Sequence, residues 1–188
     1  MKRLITLTIV LVSLANLSYG QEYYGKTLNL GLGVAGYSGY YKYVNRTRAV
    51  FYIDYEFDVA KSFTLAPFLS VYSYSNDFYW DKGNNPPQNY RYHETVIPIG
   101  VKGTYYFDEL LQAHSDWDFY LAGSLGIAIV NANWEAGYDG DKNYYHDGSS
   151  LFLNIHIGAE YHINKKVGVF LDLSSGVSTI GLAIHGVK

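Results

Sequence analysis

The stretch NLGLGVAGYSGYY, Asn29 to Tyr41, decides how the rest of the chain is read. Its Gly31-Leu-Gly-Val-Ala-Gly36 spells the dinucleotide fingerprint, and Asp54 stands near the spacing at which such a motif carries its ribose-binding acid. A dinucleotide site needs a helix to open behind the glycines. Instead Tyr37-Ser-Gly-Tyr-Tyr-Lys-Tyr43 follows, a turn-rich aromatic run without helical periodicity. Read with a period of two, Leu28, Leu30, Leu32 and Val34 fall on one face, and Thr27, Asn29, Gly31, Gly33 and Ala35 on the other. The segment is a strand with one apolar face and one face of small groups.

The same period recurs along the chain and predicts eight strands, over 27–36, 49–58, 63–74, 94–106, 117–130, 150–162, 167–175 and 179–187. One face carries Phe51, Ile53, Tyr55 and Phe57, then Leu65, Leu69 and Val71, then Ile97, Ile99 and Val101. It continues with Leu121, Leu125, Ile127, Leu151, Leu153, Ile155, Leu171, Leu173, Ile180 and Leu182, uninterrupted by charge. Pro67 and Pro98 fall inside two of these strands, where each removes a ladder hydrogen bond and predicts a bulge.

Alternation alone does not say which face is inside. The second face bears Gly100, Ala122, Ser124, Gly126, Gly158 and Gly168 with scattered acids and histidines, and lacks the dense charged coat of a water-soluble surface. Small and polar groups in a tight lumen, with an apolar band against lipid, fit it better than a lipocalin-like barrel turned the other way. The loops agree. Those at 37–48, 75–93 and 131–149 are long and leave one end, whereas Asp58–Ser62 and Asn164–Lys166 are tight.

Composition sets the bounds. Charged residues make up 16% of the chain, against roughly 25% in ordinary soluble domains, while aromatics reach 18% and tyrosine alone counts 21. With no cysteine there is no disulfide scaffold, and a net charge of −3 argues against nucleic-acid binding. Residues 1–20, with Lys2 and Arg3 ahead of an apolar run and small residues before Gln21, read as a secretory signal peptide. Residues 21–188 are then expected to form one barrel domain.

On these features the chain resembles the small eight-stranded outer-membrane β-barrels of Gram-negative bacteria, the OmpA/OmpX-like, porin-type family. The resemblance rests on the leader, the eight alternating segments, aromatic strand ends such as Tyr55-Glu-Phe57 and Tyr105-Tyr-Phe107, and long polar-aromatic loops. It implies an all-β, eight-stranded antiparallel up-and-down transmembrane barrel in the outer membrane, both termini periplasmic. It also implies a structural or surface-interaction role without catalysis or cofactor; a small pore and a lipid A-modifying enzyme are the alternatives.

The lumen-facing parity holds Asp54, Glu56, Lys102, Asp118, His156, Glu160, His162, Asp172 and His185. Buried charges in a narrow barrel must pair, and carboxylates outnumbering Lys102 would enlist the histidines, so an ionic plug is expected. An acyl-transfer site would need a nucleophile beside its base, and no His-x-Ser pair stands on a strand with that parity. Phe78, Tyr79, Trp80, Trp134, Tyr138, Tyr144 and Tyr145 are candidate loop contacts for a surface ligand or protein, aromatics among Asn, Ser and Gly being the chemistry of adaptable binding surfaces. Lys42, Arg46, Arg48 and Arg91 are candidates for lipopolysaccharide phosphates. Asp139-Gly-Asp-Lys-Asn143 begins like a calcium loop, but Tyr144 replaces the required glycine and Ser150 the bidentate glutamate, so no metal is expected there.

Overall fold

The computed structural model describes residues 24–35, 46–47, 49–80, 88–111, 116–137 and 148–186. They form eight long strands: β1 (Thr27–Ala35), β2 (Ala49–Ala60), β3 (Phe63–Trp80), β4 (Gln88–Tyr106), β5 (Trp117–Trp134), β6 (Gly148–Asn164), β7 (Val167–Ser174) and β8 (Val177–His185). Each pairs antiparallel with its sequence neighbour, and β1 pairs with β8, so the sheet closes into a barrel without an edge. Arg46–Thr47 adds a short bridge to β3, and a helical turn at Asp108–Leu111 lies between β4 and β5.

The side-chain period places the apolar residues outside. Leu125 is 56% exposed, and Phe51, Leu151, Ile155 and Ile180 are similarly bare. Such a continuous apolar exterior is unstable in water and is the surface expected against lipid. On β3 it runs from Phe63 to Val71, about the 9–11 residues with which a tilted strand crosses the hydrocarbon. Phe57, Tyr105, Trp117 and Tyr161 mark the short-turn border, with Trp117 and Tyr161 rings 5.0 Å apart.

Above that band β3, β4 and β5 continue, and their polarity inverts. Ile97 and Ile129 face each other on the outside; one rung higher the outward residues are Ser73, Thr95 and Asn131, and the next rung carries Ser75, His93 and Asn133. Inside, the change is opposite. Asp54, Glu56, Lys102 and Asp172 lie in the lumen within the band, whereas Val50, Tyr72, Tyr74, Val96, Val130 and Val177 form an apolar cluster at its long-loop end, beside a buried Glu94 to which Tyr92 donates at 2.9 Å. Lipid outside calls for a polar, paired interior, and water outside calls for an apolar one.

Three expectations are corrected. Strands at 63–74, 94–106, 117–130 and 150–162 all run further toward the long-loop end than the alternation indicated, reaching Trp80 and starting again at Gln88 within the expected second long loop. The cause is the inversion itself: polar outward residues such as Ser73 and Asn131 break a lipid-facing pattern without ending a strand. The last strand begins at Val177, since Ser174, Ser175 and Gly176 make a tight turn in which Ser174 Oγ accepts from the Gly176 amide at 3.1 Å. Neither proline carries a bulge. Pro67 opposes Val101 and Pro98 opposes Ala128 in unbroken registers, because a missing N–H costs a bond toward one neighbour only. The register shifts lie beside the tight turns, at Asp58/Ala60 and His162/Asn164.

Candidate functional site

Glu94 apart, the lumen's buried titratable groups are sorted by the strand register into three clusters. In the first, β2 presents Asp54 and Glu56 inward and β4 presents Lys102 between them, its ammonium 2.5 Å from Asp54 Oδ2 and 3.4 Å from Glu56 Oε1. Asn29 on β1 donates to both acids at 2.8 and 3.1 Å. Tyr52 donates to Asp54 at 2.5 Å, and Thr64 and Tyr106 each donate to Glu56 at 2.7 Å. With Lys102 only 3% exposed, these bonds are what make a buried charge tolerable.

The second cluster joins β5, β6 and β7. Ser124 Oγ lies 2.9 Å from His156 Nε2, and His156 Nδ1 lies 2.7 Å from Asp172 Oδ1, to whose other oxygen Tyr120 donates at 3.1 Å. Hydroxyl, imidazole and carboxylate thus follow one another as in a nucleophilic relay. No spacing signal announces it, because the three residues come from three strands. The void beside it, bounded by Tyr52, Phe68, Phe152 and Asn154, is about 10 Å³, room for one water and not for an acyl chain.

The third cluster lies at the short-turn mouth. His162 Nε2 is 2.7 Å from Asp118 Oδ2, and His185 Nε2 is 2.6 Å from Glu160 Oε1. The two imidazoles stack with centroids 4.9 Å apart. Glu160 is held against the β7 backbone: a Cβ at Gly168 would fall on its carboxylate, which only glycine avoids. Beside this mouth Tyr24 stacks on Tyr106 at 4.1 Å and donates to Asp108 at 3.0 Å. Tyr52, Tyr106, Tyr120 and Asn29 were absent from the sequence-based list, although each shares the parity of the acids it serves.

The loop candidates separate differently. Phe78, Tyr79 and Trp80, expected in mid-loop, lie on β3, paired with Tyr90, Asn89 and Gln88. Trp134 ends β5 half-buried, its ring 4.9 Å from that of Tyr92. Arg91 is exposed on β4, its backbone N–H donating to Glu135 at 2.8 Å, and His93 is exposed on the same strand. Arg46 belongs to the short bridge. Lys42, Arg48, Tyr138, Tyr144, Tyr145, the Asp139–Asn143 segment and the leader lie outside the described residues.

An edgeless eight-stranded sheet with lipid-compatible walls and an ion-paired interior defines the class, a small transmembrane β-barrel. No known family model and no characterised protein sequence matches the chain. Among solved structures it is similar to a de novo designed transmembrane β-barrel, with TM-score 0.43, 12% identity and coverage of 85% of this chain and 95% of that one. It is also similar to Ail, the attachment invasion locus protein of Yersinia pestis, solved with the heparin analogue sucrose octasulfate: TM-score 0.45, 11% identity, 84% of this chain and 97% of that one. The Ail backbone structure in a phospholipid bilayer nanodisc gives TM-score 0.38, 13% identity, and 85% and 98% coverage.

Proposed function

We propose that residues 21–188 form an exported barrel of the bacterial outer membrane, plugged by its own side chains, whose role is surface interaction through the long-loop end rather than catalysis. The observation that supports this reading most is the protruding part of β3, β4 and β5, where Ser73, Thr95, His93 and Asn131 replace the apolar exterior. A barrel serving only as a membrane staple has no need of strands that stand in water. Phe78, Tyr79 and Trp80 stand at strand positions in this projecting part, and sites carried on strands bind with less ordering cost than sites on loops. Partners are lipid, lipopolysaccharide phosphates for Lys42, Arg46, Arg48 and Arg91, and a surface ligand or protein.

A second reading, a lipid A-modifying barrel enzyme, draws on Ser124, His156 and Asp172. Their enclosure and the one-water void count against it.

One experiment separates the two. Replacing Phe78-Tyr-Trp80 with Ser-Gly-Ser, beyond the apolar band, is expected to leave outer-membrane insertion and heat-modifiable gel migration intact while abolishing cell-surface binding. Ser124→Ala is expected to change neither binding nor the mass of lipid A. Surface binding unaffected by the first change, or a lipid A mass difference that vanishes with the second, would reverse the order of the readings.

A further inference from the structure

The third cluster has the layout of a metal site. Glu160, His162 and His185 each offer one donor atom, and the three atoms lie within 4.8 Å of one another. Glu160 Oε1 is the common centre, 2.6 Å from His185 Nε2 and 3.9 Å from His162 Nδ1. Tetrahedral bonds of about 2.0–2.1 Å put donor atoms roughly 3.3 Å apart, so on binding an ion the two Glu160 contacts shift in opposite senses and the two histidine nitrogens, within 4.8 Å of each other, draw together. The nitrogens not facing Glu160 are also engaged. His162 Nε2 meets Asp118 Oδ2 at 2.7 Å, and His185 Nδ1 meets Thr27 Oγ1 at 2.9 Å. An outer oxygen that holds the far nitrogen of each ligating imidazole, a carboxylate in one case, is what fixes ring orientation and ligand basicity at protein metal centres.

We propose that Glu160, His162 and His185 form a divalent transition-metal site of the zinc class at the short-turn mouth of the barrel, with Asp118 and Thr27 orienting the two imidazoles. Two nitrogens and one carboxylate suit zinc and exclude the oxygen-only coordination of calcium or magnesium. The histidine side chains are 23% and 17% exposed, so the ion has a route in, and the fourth position is left open to a water. Glu160 and His162 belong to β6 and His185 ends β8, whose outer neighbour is β1. The ion would therefore tie the closing strand to a strand two places away, across the lumen mouth.

The test uses the full-length barrel in detergent, stripped with a chelator and titrated with zinc by calorimetry. One ion per chain is expected, with a raised thermal midpoint in the presence of zinc. His185→Ala and Glu160→Gln should weaken binding by at least 100-fold. Asp118→Asn, which keeps all three ligands, should weaken it by about 10–100-fold, and Gly168→Ala, which displaces the Glu160 carboxylate, should weaken it too. His93→Ala, exposed and remote, should bind as wild type. Heat-modifiable migration reports that each variant is folded. Absence of zinc binding at micromolar free metal, equal competition by calcium, or wild-type affinity in both His185→Ala and Asp118→Asn overturns the proposal.

Discussion

At the scale of single residues, Lys102 is the most consequential side chain. It is a buried cation, and two carboxylates depend on it. Lys102→Met would leave Asp54 and Glu56 adjacent and buried, and removing one partner of a buried pair costs about 3–5 kcal/mol. The loss should appear as a lower denaturant midpoint in detergent micelles. Adding Asp54→Asn and Glu56→Gln to the same chain should recover much of it, because the uncompensated charges are then gone. A triple variant no more stable than Lys102→Met would mean that packing, and not charge, governs this layer.

At the scale of the strand, β5 carries the boundary between lipid and water along one face. Leu125 and Asn131 both point outward, but Leu125 is level with the apolar band and Asn131 pairs with Thr95 above it. Arginine at mid-membrane costs about 2–4 kcal/mol and falls toward 0–1 at the interface. Leu125→Arg should therefore impair assembly, while Asn131→Arg should fold with near wild-type stability in refolding titrations into lipid vesicles. Equal penalties at both positions would place Asn131 in the hydrocarbon and remove the protruding platform. The alternation expected β5 to end at 130, yet it runs to Trp134. A period-two reading tuned to apolar residues loses a strand where the surrounding solvent changes.

For the molecule as a whole, closure and filling are linked. Eight strands enclose an interior that side chains can fill, and here they do so with the apolar cluster above, the three ionic clusters below and the Tyr24–Tyr106 stack beside the mouth. Purified barrel in planar bilayers is accordingly expected to show little steady conductance. Large stable openings would favour the small pore over the plugged barrel. Lys102→Met should not create such openings, since methionine occupies nearly the same space.

Alternation is local, and so the all-β class, the eight long strands and the two faces of each are legible in the sequence, while the small and polar residues of the second face and the uneven loops say which face meets lipid. Leu28, Leu30 and Leu32 needed no partner to declare a face. Parity likewise gathers Asp54, Lys102, His156 and His185 on the opposite side. What parity cannot carry is register, because the pairing of Ser124 with Asn154, or of Thr27 with His185, is set by the shear of a closed sheet and joins residues far apart in the chain. Closure of the sheet is therefore what divides the acids, Lys102 and histidines below Glu94 into three clusters, sets Ser124, His156 and Asp172 in line, and gives two histidines one glutamate. It also decided that Ser73, Thr95 and Asn131 lie on one rung, where the interior and exterior exchange polarity as lipid gives way to water.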